Sequence, residues 1–114
     1  MRPLVHPKRD DITVEGILYA LGDPVRLRIF MQLANSECAQ NCSTFLNVDT
    51  TPLPKSTLSQ HFKVLREAGL ITSIRKGVEL QNSTRCTEIK ERFGDMVGAI
   101  IKAFVEQEAK QHKI

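Results

Sequence analysis

Apolar positions follow a helical period through most of the chain and an alternating one between residues 70 and 82. Ile12, Val14, Ile17, Leu18 and Leu21 recur at helical spacing, and Gly22 ends that run. Asp23 then offers a cap, and Pro24 suits a first helical turn, where its missing N–H has no partner to lose. Val25, Leu27, Ile29, Phe30, Leu33 and Ala34 fill a second helix to about Asn35, with Arg26 and Arg28 as polar interruptions. Ser36 caps an expected third helix over 37–46, and a turn-rich connector with Pro52 and Pro54 follows. Leu58, Phe62 and Leu65, widened by Val64, place a fourth helix over 55–68, with Gly69 at its left-handed end. Residues 70–74 and 78–82 read as two strands around a turn at Arg75-Lys76-Gly77. Thr84 or Thr87 caps a last helix whose stripe is Ile89, Phe93, Met96, Val97, Ile100, Ile101, Phe104 and Val105.

Four helices, a hairpin and a helix predict a mainly α domain with a small β-hairpin wing, a winged helix-turn-helix pattern. Residues 1–10, with Pro3 and Pro7, are expected to be a loose arm, and 11–111 the single domain. The last helix would run about 30 Å, more than so small a body covers. Its stripe and the apolar face of the first helix therefore predict a dimer interface of Ile12, Ile17, Phe93, Met96, Val97, Ile100, Ile101 and Phe104. Packing of both faces within one monomer is the alternative.

Composition narrows the class. A chain of 114 residues, 41% hydrophobic and 25% charged, has room for one modest core and is too short for most two-domain enzymes. No apolar run reaches the roughly 18 residues of a membrane helix, and the N-terminus turns acidic before any signal-like apolar stretch, so a cytoplasmic chain with no membrane partner is expected. Five Phe, one Tyr and no Trp argue against stacking on single strands. The net charge is only +3, yet Lys55, Lys63, Arg66, Arg75 and Lys76 face Glu67 alone between residues 54 and 77. Such a concentration suggests a phosphate-facing side, although charge taken alone favours a solvated helix face.

Side-chain chemistry along the fourth helix suits the major groove of duplex DNA. Gln60 can contact an adenine edge through two hydrogen bonds. Ser56, Thr57 and Ser59 can reach bases or phosphates, Lys55 and Lys63 can neutralise phosphates, and His61 can donate to either. Arg75 and Lys76 at the wing suit a neighbouring minor groove or its flanking phosphates. There is no Gly-rich phosphate loop, no nucleophile with a His and acid partner, and no paired carboxylates, so no enzyme is expected.

Two segments carry a family resemblance: Leu18-Tyr-Ala-Leu-Gly-Asp-Pro-Val-Arg-Leu-Arg-Ile29 and Lys55-Ser-Thr-Leu-Ser-Gln-His-Phe-Lys-Val-Leu-Arg-Glu-Ala-Gly-Leu-Ile71. With the wing that follows, the chain resembles the ArsR family of bacterial winged-helix transcriptional regulators from about Ile12 to Val105. The resemblance implies a homodimer joined through its first and last helices. It also implies double-stranded operator DNA as partner, a recognition helix at 55–68, and repression by occluding a promoter.

The family's inducer sites transfer less well. Its thiolate site uses Cys-x-Cys, whereas Cys38 and Cys42 are four apart here. On a helix those two thiols would share a face and could hold a thiophilic ion, with Cys86 or the other subunit completing the set. A thiol redox switch is a further option, and small half-buried residues are the plainer reading, so no metal or cofactor is assigned. A last-helix metal site would have only Glu108 and His112 at suitable spacing, and His6 reads as an ordinary surface residue. A winged-helix protein-interaction module without an operator is the alternative function. The basic wing and the acid-free outer face of the fourth helix argue for DNA instead.

Overall fold

The computed structural model describes residues 4–35, 40–41 and 54–111. A 3-10 turn (Arg9–Asp11) leads through an extended Ile12 to α1 (Val14–Leu21), which starts two residues later than its apolar pattern because Thr13 is the cap. The Thr13 hydroxyl oxygen accepts from the Gly16 N–H at 3.1 Å. α2 (Pro24–Ala34) begins as its sequence demands. Asp23 Oδ1 accepts from the N–H groups of Val25 and Arg26 at 2.8 and 3.1 Å, and Pro24 occupies the first turn.

The third helix expected over 37–46 is corrected at its centre. Gln40–Asn41 form a short strand, β1, which pairs antiparallel with a later strand instead of forming local helical bonds. The rest of that expected helix and the connector before Pro54 lie outside the described residues.

α3 (Lys55–Glu67) ends in a Schellman motif. The Gly69 N–H donates to the Arg66 carbonyl at 3.1 Å and the Leu70 N–H to the Leu65 carbonyl at 3.0 Å, with Gly69 at φ +85°. A side chain at Gly69 would also collide with Ile12, so this turn admits glycine for space as well as for torsion.

β2 (Ile71–Lys76) and β3 (Glu79–Thr84) form the hairpin, with Lys76 opposite Glu79. The turn is therefore Gly77-Val78, one position beyond the expected tip, and Arg75 and Lys76 belong to the end of β2. Gly77 supplies the positive φ, +63°, that a type II′ connection needs at its first position. β1 pairs with the other edge of β3, giving the sheet order β1-β3-β2.

The expected last helix is two helices. α4 (Cys86–Phe93) stops at Gly94, whose φ of +67° and ψ of −137° turn the chain, and α5 (Met96–Gln111) follows. Neither threonine caps α4: Thr84 ends β3 and Thr87 lies inside the helix. The second half of α5 returns to α2, where Arg28 Nε donates to Glu108 Oε1 at 3.0 Å and its guanidinium lies 5.7 Å from the Phe104 ring centre.

The core gathers Ile17 and Ala20 of α1, Ile29, Phe30 and Leu33 of α2, Leu58, Phe62 and Leu65 of α3, and Leu70, Ile71 and Ile89. Ile12 and Ile17 belong to it, at 2% and 0% exposure. They cannot form the dimer surface expected of them, because they are already enclosed by their own protomer.

The loose arm is also corrected from Leu4 onward. Arg85 Nη1 donates to the Pro7 carbonyl and Arg92 Nη1 to the Arg9 carbonyl, each at 2.8 Å. Arg92 also donates to the Ile12 carbonyl, and His6 accepts a hydrogen bond from the backbone of β2. No helix among the described residues is long and apolar enough to cross a membrane.

Candidate nucleic-acid interface

α3 divides cleanly into two faces. Leu58, Phe62 and Leu65 are 2%, 1% and 0% exposed and anchor it to the body. Lys55, Ser56, Thr57, Ser59, Gln60 and Lys63 are all exposed on the other side. No acid lies in its first turn, and among the described residues no side chain caps its positive end.

His61 departs from the rest of this group. It is half-buried, and its Nδ1 is shut off from solvent with no hydrogen-bond partner among the described residues. Burial holds its pKa below the ordinary imidazole value, Arg26 adds to the lowering, and the Asp23 carboxylate opposes it. The ring is thus neutral at pH 7 and poorly suited to the phosphate contact its sequence position suggests.

Sequence reasoning missed a neighbour of this face. A groove of about 440 Å³ is lined by Tyr19 and Arg26 together with Ser56, Thr57, Gln60, His61 and Val64. Arg26 is no mere interruption of an apolar pattern. Its Nε donates to the Ala20 carbonyl at 2.6 Å and its Nη2 to the Tyr19 carbonyl at 3.2 Å, while its guanidinium sits 5.5 Å from the Tyr19 ring centre. It thereby caps the C-terminal carbonyls of α1 and positions an aromatic ring that is 70% exposed beside α3. The available signal was the short break at Gly22-Asp23, which brings the first turn of α2 back against the end of α1.

On the wing, Arg75 and Lys76 are exposed on the last residues of β2, and Val78 stands fully in solvent at the tip. Arg66, counted among the basic residues by sequence, is half-buried and structural. Its Nη1 donates to Ser73 Oγ at 3.1 Å, and Ser73 Oγ donates to Asn82 Oδ1 at 2.5 Å. Ser73 and Asn82 are 3% and 0% exposed, so this chain of bonds fixes the wing to α3 in a shielded setting.

Cys38 and Cys42 lie outside the described residues. Cys86 is exposed at the start of α4, beside an apolar pocket of about 160 Å³ formed with Ile89, Val97 and Ile101. Among the described residues no group of three or more His, Cys, Asp or Glu side chains could hold a metal ion. Glu108 is engaged by Arg28, and His112 lies outside the described residues.

Residues 21–74 match the family described as helix-turn-helix domain. The chain is 40% identical over 75 residues to the HTH-type transcriptional repressor SmtB of Mycobacterium tuberculosis, an alignment covering 65% of this chain and 53% of that protein. It thus spans about half the length of the curated relatives it matches. Its fold is shared with the transcriptional repressor BigR from Xylella fastidiosa, with a TM-score of 0.60 and 23% identity over 80% of this chain and 85% of that one. An ArsR-like transcriptional regulator from Rhodococcus sp. RHA1 superposes with a TM-score of 0.56 and 20% identity over 87% and 92% of the two chains. The chain is thus similar to ArsR-family winged helix-turn-helix regulators in sequence over its central part and in fold over most of its length. Each of these proteins is named as a transcriptional regulator or repressor. The matched helix-turn-helix stretch takes in all of α3 and stops at Ile74, just before the two wing cations.

Proposed function

We propose that the chain is a transcriptional repressor that binds double-stranded operator DNA as a homodimer, with α3 in the major groove and the end of β2 on the flanking backbone. One observation carries this reading: α3 satisfies its apolar side inside the protomer and turns an exposed, acid-free row from Lys55 to Lys63 outward. Helices that read base edges need short hydrogen-bonding side chains in that setting, with cations at the phosphates. The repressor name of the mycobacterial relative supports the direction of control. Access to an operator places the chain in the cytoplasm.

The dimer reading draws its support from α5. Ile100, Ile101 and Phe104 are only half-buried and Val105 is 47% exposed, while Val14 and Leu18 of α1 are 38% and 53% exposed. A two-fold axis relating such surfaces would set two copies of α3 about one helical turn apart, roughly 34–36 Å, and call for an inverted repeat.

Selection of bound duplexes from a random pool, followed by titration at two salt concentrations, tests the proposal. Gln60→Ala and Ser59→Ala are expected to weaken the selected sequence and relax its base preference. Arg75→Ala with Lys76→Ala is expected to weaken all duplexes alike and reduce the salt dependence. A pool that yields no preferred sequence, with affinity unchanged in all these variants, would overturn it.

A further inference from the structure

We propose that His6 is a positioning residue that locks the wing to the recognition helix, by accepting a hydrogen bond from the Ser73 N–H, and that this lock opens on mild acidification. The coupling to DNA rests on the function proposed above; the lock itself does not.

β2 is an outer strand of the sheet, and Ser73 lies midway along it, opposite Asn82. An outer strand leaves backbone donors without a ladder partner. His6 Nε2 meets one of them, accepting from the Ser73 N–H at 3.0 Å. The same serine accepts from Arg66 of α3 through its hydroxyl oxygen and donates to Asn82 of β3. Three separate parts of the molecule (the arm, the recognition helix and the wing) therefore converge on one residue. Arg85 Nη1 holds the arm one position further on, at the Pro7 carbonyl.

This arrangement requires a neutral imidazole. Nε2 can accept only while the ring proton is on Nδ1, and a second proton would turn an acceptor into a donor pointed at a donor. The charged groups around it are unfavourable to that proton. Arg66 faces His6 from α3 and Arg85 from the start of α4, and the nearby Glu88 carboxylate is engaged by Arg85 at 3.0 and 3.1 Å. Burial chiefly, then these two guanidinium groups, hold the His6 pKa below 6.5 against the opposing Leu4 backbone. The sign follows by linkage. Above 6.5 both the docked and the released arm are neutral; below it the released arm takes up its proton first. Docking thus weakens progressively as pH falls through the lowered docked value.

The first measurement uses the full chain, isotope-labelled and without DNA, followed by NMR from about pH 7.5 to about pH 5.5, a range that brackets an ordinary imidazole. Hydrogen-exchange protection of the Ser73 amide is expected to fall as the His6 ring titrates. His6→Gln offers an amide oxygen near the Nε2 position and cannot titrate, so Ser73 should stay protected throughout. Protection that ignores pH in the unaltered chain, or falls equally in His6→Gln, overturns the lock.

The second measurement is affinity for a selected duplex over the same range. The unaltered chain is expected to lose roughly three- to tenfold on acidification, the effect of one lost bond. His6→Gln should keep its neutral-pH affinity and lose most of that dependence, leaving only what His61 contributes. His6→Ala should be weak at both ends. Duplex binding whose pH profile is the same in His6→Gln overturns the coupling. A chain that binds no duplex at all overturns the function proposed above instead, and Ser73 protection still decides the lock.

Discussion

α3 and α5 are both amphipathic, but they leave their apolar stripes in different states. α3 encloses Leu58, Phe62 and Leu65 almost completely within the protomer. α5 is longer, yet Val97 is its one buried residue among those described, with Ile100, Ile101 and Phe104 half-covered and Val105 open. A helix whose apolar side is complete can devote its other side to recognition without losing its place. A helix whose apolar side is incomplete leaves a surface on which a partner can pack. Each half of this contrast can be tested by damaging one helix and asking what else is lost.

The largest effect is expected from Phe62→Ala, which removes the central anchor of α3. A truncation of this kind at a site 1% exposed costs about 3–5 kcal/mol, read from denaturant unfolding. A loss below about 1 kcal/mol would mean that α3 is not held by its own protomer. Next comes Val105→Glu on α5. It should leave monomer stability within about 1 kcal/mol but weaken self-association by roughly 2–4 kcal/mol, since the change occurs twice across a two-fold interface. Sedimentation over a concentration series measures this, and unchanged association would remove Val105 from the interface. On the polar side of α3, Gln60→Ala is expected to cost about 1–3 kcal/mol of discrimination at one base pair with unfolding unaffected. Smallest is Asp23→Ala, about 1 kcal/mol from a lost cap, with no change in duplex preference. A shift of preference there would show that the junction of α1 and α2 contributes to the α3 face.

Legibility followed the range of the interactions. Asp23-Pro24 marked the start of α2 and Gly69 the end of α3, because caps and Schellman turns are written within a few residues. The outward row on α3 was readable for the same reason: Leu58, Phe62 and Leu65 declare the inner side, and the remainder must face away. The arm was not readable. Its bonds come from Arg85 and Arg92, about eighty residues downstream, and nothing near Pro7 or Arg9 announces them. Ile12 and Ile17 were misassigned because periodicity tells which side of a helix is apolar but not whether that side is covered by its own chain or another. The wing turn was placed one residue early, since Arg75-Lys76-Gly77 looks like a polar loop while the register puts Gly77 first in a shorter one. The division of the last helix had a local signal in Gly94-Asp95, but the apolar stripe continues across it and hides the break.

That break sets a geometric constraint of its own. A β-carbon at Gly94 would meet nothing within 4 Å, so its φ of +67° and ψ of −137°, not crowding, exclude other residues there. The direction of α5 therefore depends on the torsions of the two-residue link Gly94-Asp95. A helix of 16 residues is ~24 Å long, and tilting it by about 10° moves its far end by ~4 Å. In a dimer built on α5, a backbone adjustment at this joint would change the spacing of the two reading heads by an appreciable part of a base-pair register. Operator spacing would then be sensitive to the backbone at a glycine joint that lies outside both helices it connects.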